Sequence, residues 1–194
     1  MDKASIIRAL KFILNSDFLD LTIDPNTAHY GLRFYTTFNR IEAVNEMPKL
    51  VAHNNLVDLN ANIITPVGYP SRFDNLDIET LIPVTDIVAV ALVVKPEKLG
   101  EFLRRLIKIY EYLPLPCESQ FNSNREIVEE LICNKVTDVF NIGIDAIDRS
   151  NNPDKGKVIA GDESLIWVRG IATDVPPTFY VVLLDKIPFI CPIL

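Results

Sequence analysis

Glycine is scarce in this chain, with 7 among 194 residues, about half the usual ~7% frequency. Few positions therefore let the backbone come close to a phosphate. The nucleotide loops G-x-x-x-x-G-K-[ST] and G-x-G-x-x-G are absent, as is the G-x-S-x-G nucleophile elbow. Histidine occurs twice, as His29 and His53, and neither has a cysteine or carboxylate at ligand spacing. A zinc site or a catalytic triad is not expected from two such residues. The three cysteines, Cys117, Cys133 and Cys191, are widely spaced and odd in number. Neither a disulfide framework nor a zinc ribbon follows, and a reducing cytoplasm is the expected compartment.

No basic block exists either. Lys and Arg number 19 against 26 Asp and Glu, for a net charge of −7. Residues 1–100 carry 9 cations and 12 anions, and residues 101–194 carry 10 and 14. The densest basic cluster is Arg104, Arg105 and Lys108. A nucleic-acid binder concentrates cations to neutralise phosphates, so no nucleic-acid partner is expected. Membrane spans need about 20 apolar residues. The longest apolar run here, Ile87 to Val94, has strand length, so no membrane partner is expected. The N-terminus keeps Arg8 and Lys11 inside its apolar stretch, unlike a secretory signal.

Regular patterning is what the chain does have. Ile6, Ile7, Leu10, Ile13 and Leu14 recur on one face of a 3.6-residue repeat and predict an amphipathic helix over 5–15. Alternation predicts strands at 19–23, 30–38 and 57–63, with a short one near 78–81. The run 86–94 is apolar on both faces, as a central strand is. It leads into Lys95-Pro96-Glu97, a helix start, followed by the stripe Leu99, Phe102, Leu103, Leu106, Tyr110 and Leu113. A capping box at Ser123-Asn124-Arg125-Glu126 opens a second helix. Strands are expected at 137–147, 165–173 and 178–184, with polar loops over 65–76 and 149–161. The pattern predicts a single α+β domain over 1–194. Its sheet is mixed and mostly antiparallel, packed by an N-terminal helix and a central helix pair.

Candidate site residues are few. Asp74, Asp77 and Glu79 form the densest acidic set, and Asp77 and Glu79 share one face of a strand. They are the candidates for holding a divalent cation, although they lack the spacing and central glycine of a calcium loop. His29, Gly31, Arg33, Tyr35 and Thr37 line one side of a strand. Arg33 and Tyr35 could bind an anion or a partner's carboxylate there, and cross-strand pairing accounts for the same row. Trp167 and Arg169 share a face as either an interface anchor or an ordinary core position.

The chain ends in Ile187-Pro-Phe-Ile-Cys-Pro-Ile-Leu194, eight residues without charge. Cys191-Pro-Ile-Leu formally fits a C-a-a-X prenylation signal, but the upstream segment is apolar and carries one cation rather than a polybasic stretch. The tail is expected instead to pack on this protein's core or in a neighbour's groove, with Ile187, Phe189, Ile190, Ile193 and Leu194 as contact residues.

These features favour a non-enzymatic structural or assembly subunit that self-associates or docks in a larger protein complex, with no cofactor. It would work in the cytoplasm or within a larger particle. The element order, a helix before a mixed sheet and a helix after the central strand, is similar in layout to small ring-forming connector or terminator subunits of phage and phage-like tails. The alternatives are a carboxylate-based metal-dependent enzyme and a small-ligand-binding module.

Overall fold

A computed structural model describes residues 3–21, 31–36, 39–64, 78–110, 140–143, 155–162, 164–170, 177–186 and 189–192. Two α-helices and eleven strands are described, and every strand pairing is antiparallel. The expected α+β class is therefore the observed one.

Helix α1 spans Lys3–Leu14 and buries Ser5, Ile6, Ala9, Leu10 and Ile13, the face predicted by the 3.6-residue repeat. It ends where Ser16 turns back and donates its hydroxyl to the Ile13 carbonyl at 2.9 Å. Such a side-chain bond competes with helix continuation. Helix α2 spans Leu99–Ile109 after a single 3₁₀ turn over Pro96–Lys98. Phe102 and Leu106 point inward from it, and Tyr110 closes its last turn.

The strands are β1 (Leu32–Thr36), β2 (Arg40–Ala43), β3 (Lys49–Val51), β4 (Leu56–Ile64), β5 (Ile78–Pro83), β6 (Ile87–Val93), β7 (Phe140–Gly143), β8 (Lys155–Gly161), β9 (Leu165–Gly170), β10 (Thr178–Leu183) and β11 (Phe189–Pro192). They form one sheet ordered β11-β7-β8-β9-β10-β6-β1-β2-β4. β3 pairs with the first half of β4, and β5 pairs with β4 as well. β6 lies mid-sheet with all seven residues buried, which explains its unbroken apolar run.

One sheet face packs under both helices. Phe34, Ile41, Val57, Leu59, Val90, Val181 and Trp167 belong to that core. Aromatic rings tie the layers together. Phe12 of α1 lies 5.8 Å from Trp167, edge to face, and Phe102 of α2 lies 4.7 Å from Phe179. The polar link is Asp162, at the β8–β9 turn. It accepts from the Ser164 and Leu165 amides at 2.9 and 3.1 Å, and from the Ser5 hydroxyl of α1 at 2.8 Å.

Two expectations change, and a third lies beyond what the structure describes. The polar loop expected over 149–161 contains β8 from Lys155 onward. Its pairing slips between Val158 and Ala160, so Ile159 is an extra residue that breaks the two-residue alternation a strand shows in sequence. The expected strand at 19–23 is, within the described residues, one bridge from Leu19 to Val94. The second helix of the expected pair, at the capping box, lies outside the described residues.

Candidate functional site

The sheet's other face changes character from one end to the other. Over β9, β10 and β6 it is buried and apolar, with Ile166, Val168, Val182, Ala89 and Ala91. Over β4 and β5 it is open, and Glu79, Leu81 and Pro83 are exposed. A rank of polar residues lies between, on β1, β2 and β4.

Register builds this rank. Arg33 stands opposite Glu42, Tyr35 opposite Arg40, and Glu42 in turn opposite Asn62. On the other side Arg33 faces Ala91, which faces Tyr180. The Thr36 amide donates to the Asn39 carbonyl at 2.9 Å. With that pair bonded, alternation makes Phe34–Ile41 the next bonded pair and Arg33–Glu42 a non-bonded one. Side chains across an antiparallel ladder come closest at non-bonded pairs, so the opposite charges meet there. Glu42 is fully buried and also takes an ion pair from Arg40, with Nε 3.0 Å from Oε1. Tyr35 beside them is 1% exposed.

This carboxylate, paired with Arg40 and standing opposite Arg33 in the ladder, is shielded from solvent. It can fix strand register and partner choice within the sheet, and its burial keeps it from serving as an open acid or base. The residue directly opposite Arg33 in the ladder is thus this chain's own Glu42.

Sequence reasoning found Arg33 and Tyr35 but missed Arg40, Glu42 and Asn62. The available signal was Arg40-Ile-Glu42-Ala, two charges at strand spacing around a core isoleucine. It is obscured because residues 41–53 show no clear repeat, and Pro48 interrupts any single helix there.

The other candidates scatter. Glu79 lies exposed on β5 opposite Asn60, and Asp74 and Asp77 are outside the described residues. His29 and Thr37 are outside them too. His53 is exposed in the β3–β4 turn, where Ala52, His53 and Asn54 have φ of 48°, 55° and 64°. Lys3 of α1 holds that turn through the Asn55 side chain. Trp167 is completely buried among aromatic rings, whereas Arg169 is exposed. Among the described residues no group of three His, Cys, Asp or Glu could hold a metal.

A cleft of about 610 Å³ opens beside the end of α1, lined by Ser16, Asp17, Leu19, Asp20, Met47 and Lys95 among others. Asp17 is already engaged there. Its carboxylate accepts from Lys98 Nζ at 2.8 Å, a hydrogen bond that lowers the acid's pKa and raises the amine's.

The sheet's edges differ from its faces. Val84 donates its amide to the Asn55 carbonyl at 2.9 Å, and Pro83 stands opposite Leu56. Alternation then gives Ile82, Thr80 and Ile78 to the β4 ladder and turns the main chain of Glu79, Leu81 and Pro83 outward. Pro83 has no N–H to present, and Glu79 puts a charge beside it. Both features discourage another strand from adding there. At the opposite end, the tail residues Phe189–Pro192 pair with β7 as β11, with Cys191 opposite Asn141. Ile187, Ile193 and Leu194 are outside the described residues.

On α2, Ile107 and Ile109 are 58% and 39% exposed. They fall off the inward stripe that the sequence pattern identifies. Among the described residues no helix is long and apolar enough to cross a membrane. No family model matches the chain, and neither a curated protein nor a solved structure does.

Proposed function

We propose that the protein is a non-enzymatic assembly subunit that associates with copies of itself through side-chain surfaces, in the cytoplasm or within a larger particle. The observation that carries this reading lies on α2. Ile107 and Ile109 are two of the three exposed large apolar side chains among the described residues. Single exposed apolar residues are ordinary. Ile107 stands one turn from Arg104 on the outer side of α2, a pairing with the composition of an interface, which favours arginine. The charge-free tail supports the same reading. Its last rung on the sheet is main-chain pairing, and its composition suits contact with protein rather than water.

Sedimentation of the purified chain across the micromolar range tests the proposal. A mass above that of the monomer, rising with concentration, is expected. A monomer at every concentration and salt would overturn it. Electron microscopy then separates rings, the form suggested by the phage-tail layout, from simple dimers.

A further inference from the structure

We infer that the outer surface of the two helices binds the phosphodiester backbone of a nucleic acid, without sequence preference. This goes beyond the assembly reading and does not depend on it. The cations concerned are far apart in the sequence, which is why their linear order points to no nucleic-acid partner. Folding gathers them. Both helices pack on the same sheet face, and they meet where the Phe12 ring of α1 lies 5.5 Å from the Phe102 ring of α2.

The buried faces fix which residues look outward. α1 buries Ile6, Leu10 and Ile13 and exposes Arg8 and Lys11. α2 buries Phe102 and Leu106 and exposes Arg104, Arg105 and Lys108. α1 contains no acid, and the single acid of α2, Glu101, is already bonded to Arg105. Arg8, Lys11, Arg104 and Lys108 make no ion pair among the described residues. Each helix carries its two about one turn apart, a spacing of about 5–6 Å. Arg105 adds a fifth cation over the seam between the helices. It sits 5.0 Å from the Phe18 ring, which itself lies against both Phe12 and Phe102.

Charge selects the partner. Lys3–Leu14 and Leu99–Ile109 together hold six cations and one anion, in a chain of net −7. The acids beside them are committed, Asp17 to Lys98 and Asp162 to Ser5 and the turn amides. At physiological salt a charge is felt within about 8 Å, so this local excess governs contact. Arginine-rich surfaces suit phosphate oxygens, and neutralising phosphates releases bound counterions. A membrane fits less well, because both helices turn their apolar stripes into the core and keep none to insert among lipids. Ile107 stands on the flank of α2 turned away from Arg105, so a copy docked there leaves the seam open.

The test follows the fluorescence anisotropy of a labelled oligonucleotide, as single strand and as duplex, with the full chain. Four phosphate contacts give a slope of about −3 to −4 in log K against log salt, a loss of about 50- to 150-fold between 50 and 200 mM. Arg8→Glu with Lys11→Glu, and Arg104→Glu with Lys108→Glu, are each expected to weaken binding about ten-fold or more. Each should also flatten the slope by about 2. Lys49→Glu is the control. Leu50 packs against the core under the helices, so alternation turns exposed Lys49 to the opposite sheet face. It should change neither quantity. Circular dichroism and sedimentation read fold and assembly separately, so failure here is distinct from failure of self-association. A wild type that binds neither oligonucleotide at about 50 mM salt overturns the inference. Equal weakening by Lys49→Glu overturns it as well, because the charge would then act diffusely. Binding to phosphatidylserine vesicles or to polyglutamate that both helix variants abolish, with no nucleic acid bound, overturns it in favour of a membrane or an acidic protein.

Discussion

Arg33 on β1 and Glu42 on β2 stand directly opposite one another, and Arg40 closes on the same carboxylate at 3.0 Å. Opposite charges thus sit inside the sheet, one strand away from the wholly apolar β6. Removing the anion leaves guanidinium charge without its internal counterpart. Glu42→Gln is expected to cost about 3–5 kcal/mol, the range for breaking a buried ion pair from one side. At roughly 2–4 °C per kcal/mol the melting temperature falls by about 10 °C. Exposed Glu79→Gln, on the same sheet face, is the control and should stay within ~0.5 kcal/mol. Equal melting temperatures for the two variants would show that Glu42 does not anchor the ladder.

The Gly31 backbone meets the chain before it. Asp20 donates to the Val93 carbonyl while Val93 donates to Gly31, both on the edge of β6. The segment around Asp20 and the start of β1 therefore abut along one strand. A Cβ on Gly31 would lie 1.9 Å from the Asp20 carbonyl oxygen and 2.7 Å from the Leu21 Cα. Both obstacles are backbone, so relief requires moving a chain segment. Gly31→Ala is expected to destabilise by at least the ~1–3 kcal/mol of an overpacked core. Gly100→Ala, on the open surface of α2, should instead stabilise by about 0.5–1 kcal/mol. Urea melts of both variants give the comparison, and a harmless Gly31→Ala would contradict the close approach.

Tyr110 is 3% exposed, and its ring centroid lies 5.8 Å from that of Trp167. The phenol hydroxyl and the indole N–H are both buried, and neither has a hydrogen-bond partner among the described residues. Burial pushes the phenol pKa up to about 12 from 10.0; the indole lowers it, Asp162 raises it, and Arg8 lowers it. The unfolded chain releases this proton near pH 10 and the folded chain near pH 12. Stability is therefore untouched below pH 10 and declines between the two values by about 2–3 kcal/mol. Tyr110→Phe should remove that alkaline decline and be close to neutral at pH 7, since the hydroxyl makes no hydrogen bond among the described residues. An unchanged alkaline slope in Tyr110→Phe would assign the decline to other groups.

How far the sequence leads depends on whether one segment's pattern is enough. α1 and β6 were legible because each buries a fixed set of positions set by its own repeat, such as Ile6, Leu10 and Ile13, or the whole of 87–93. β8 was not legible, because the bulge at Ile159 exists only in relation to β9. The polar rank was half legible. Arg33 and Tyr35 announce themselves by alternation, whereas Glu42 gains its meaning from standing opposite Arg33, a register set by the pairing of β1 with β2. Exposed Ile107 was legible only by elimination, as an apolar residue off the buried stripe of α2.

The tail prediction separates packing from modification. Phe189–Pro192 extend the sheet beyond β7, so removing 187–194 strips β7 of its outer partner. The deleted stretch also holds Ile187, Phe189, Ile190, Ile193 and Leu194. Each such side chain contributes ~1.5–3 kcal/mol when fully buried, so partial burial of the set rivals a typical net stability of ~5–15 kcal/mol. The truncated chain is expected to melt well below the full one or to lose assembly. Cys191→Ser removes the prenyl acceptor while keeping the strand and nearly all of its volume, and it should be mild on both readouts. Calorimetry and sedimentation of the two variants decide the matter. A truncated chain with wild-type melting and assembly makes the tail dispensable. A Cys191→Ser variant that leaves membranes while the wild type stays bound makes the lipid anchor the correct reading of the same four residues.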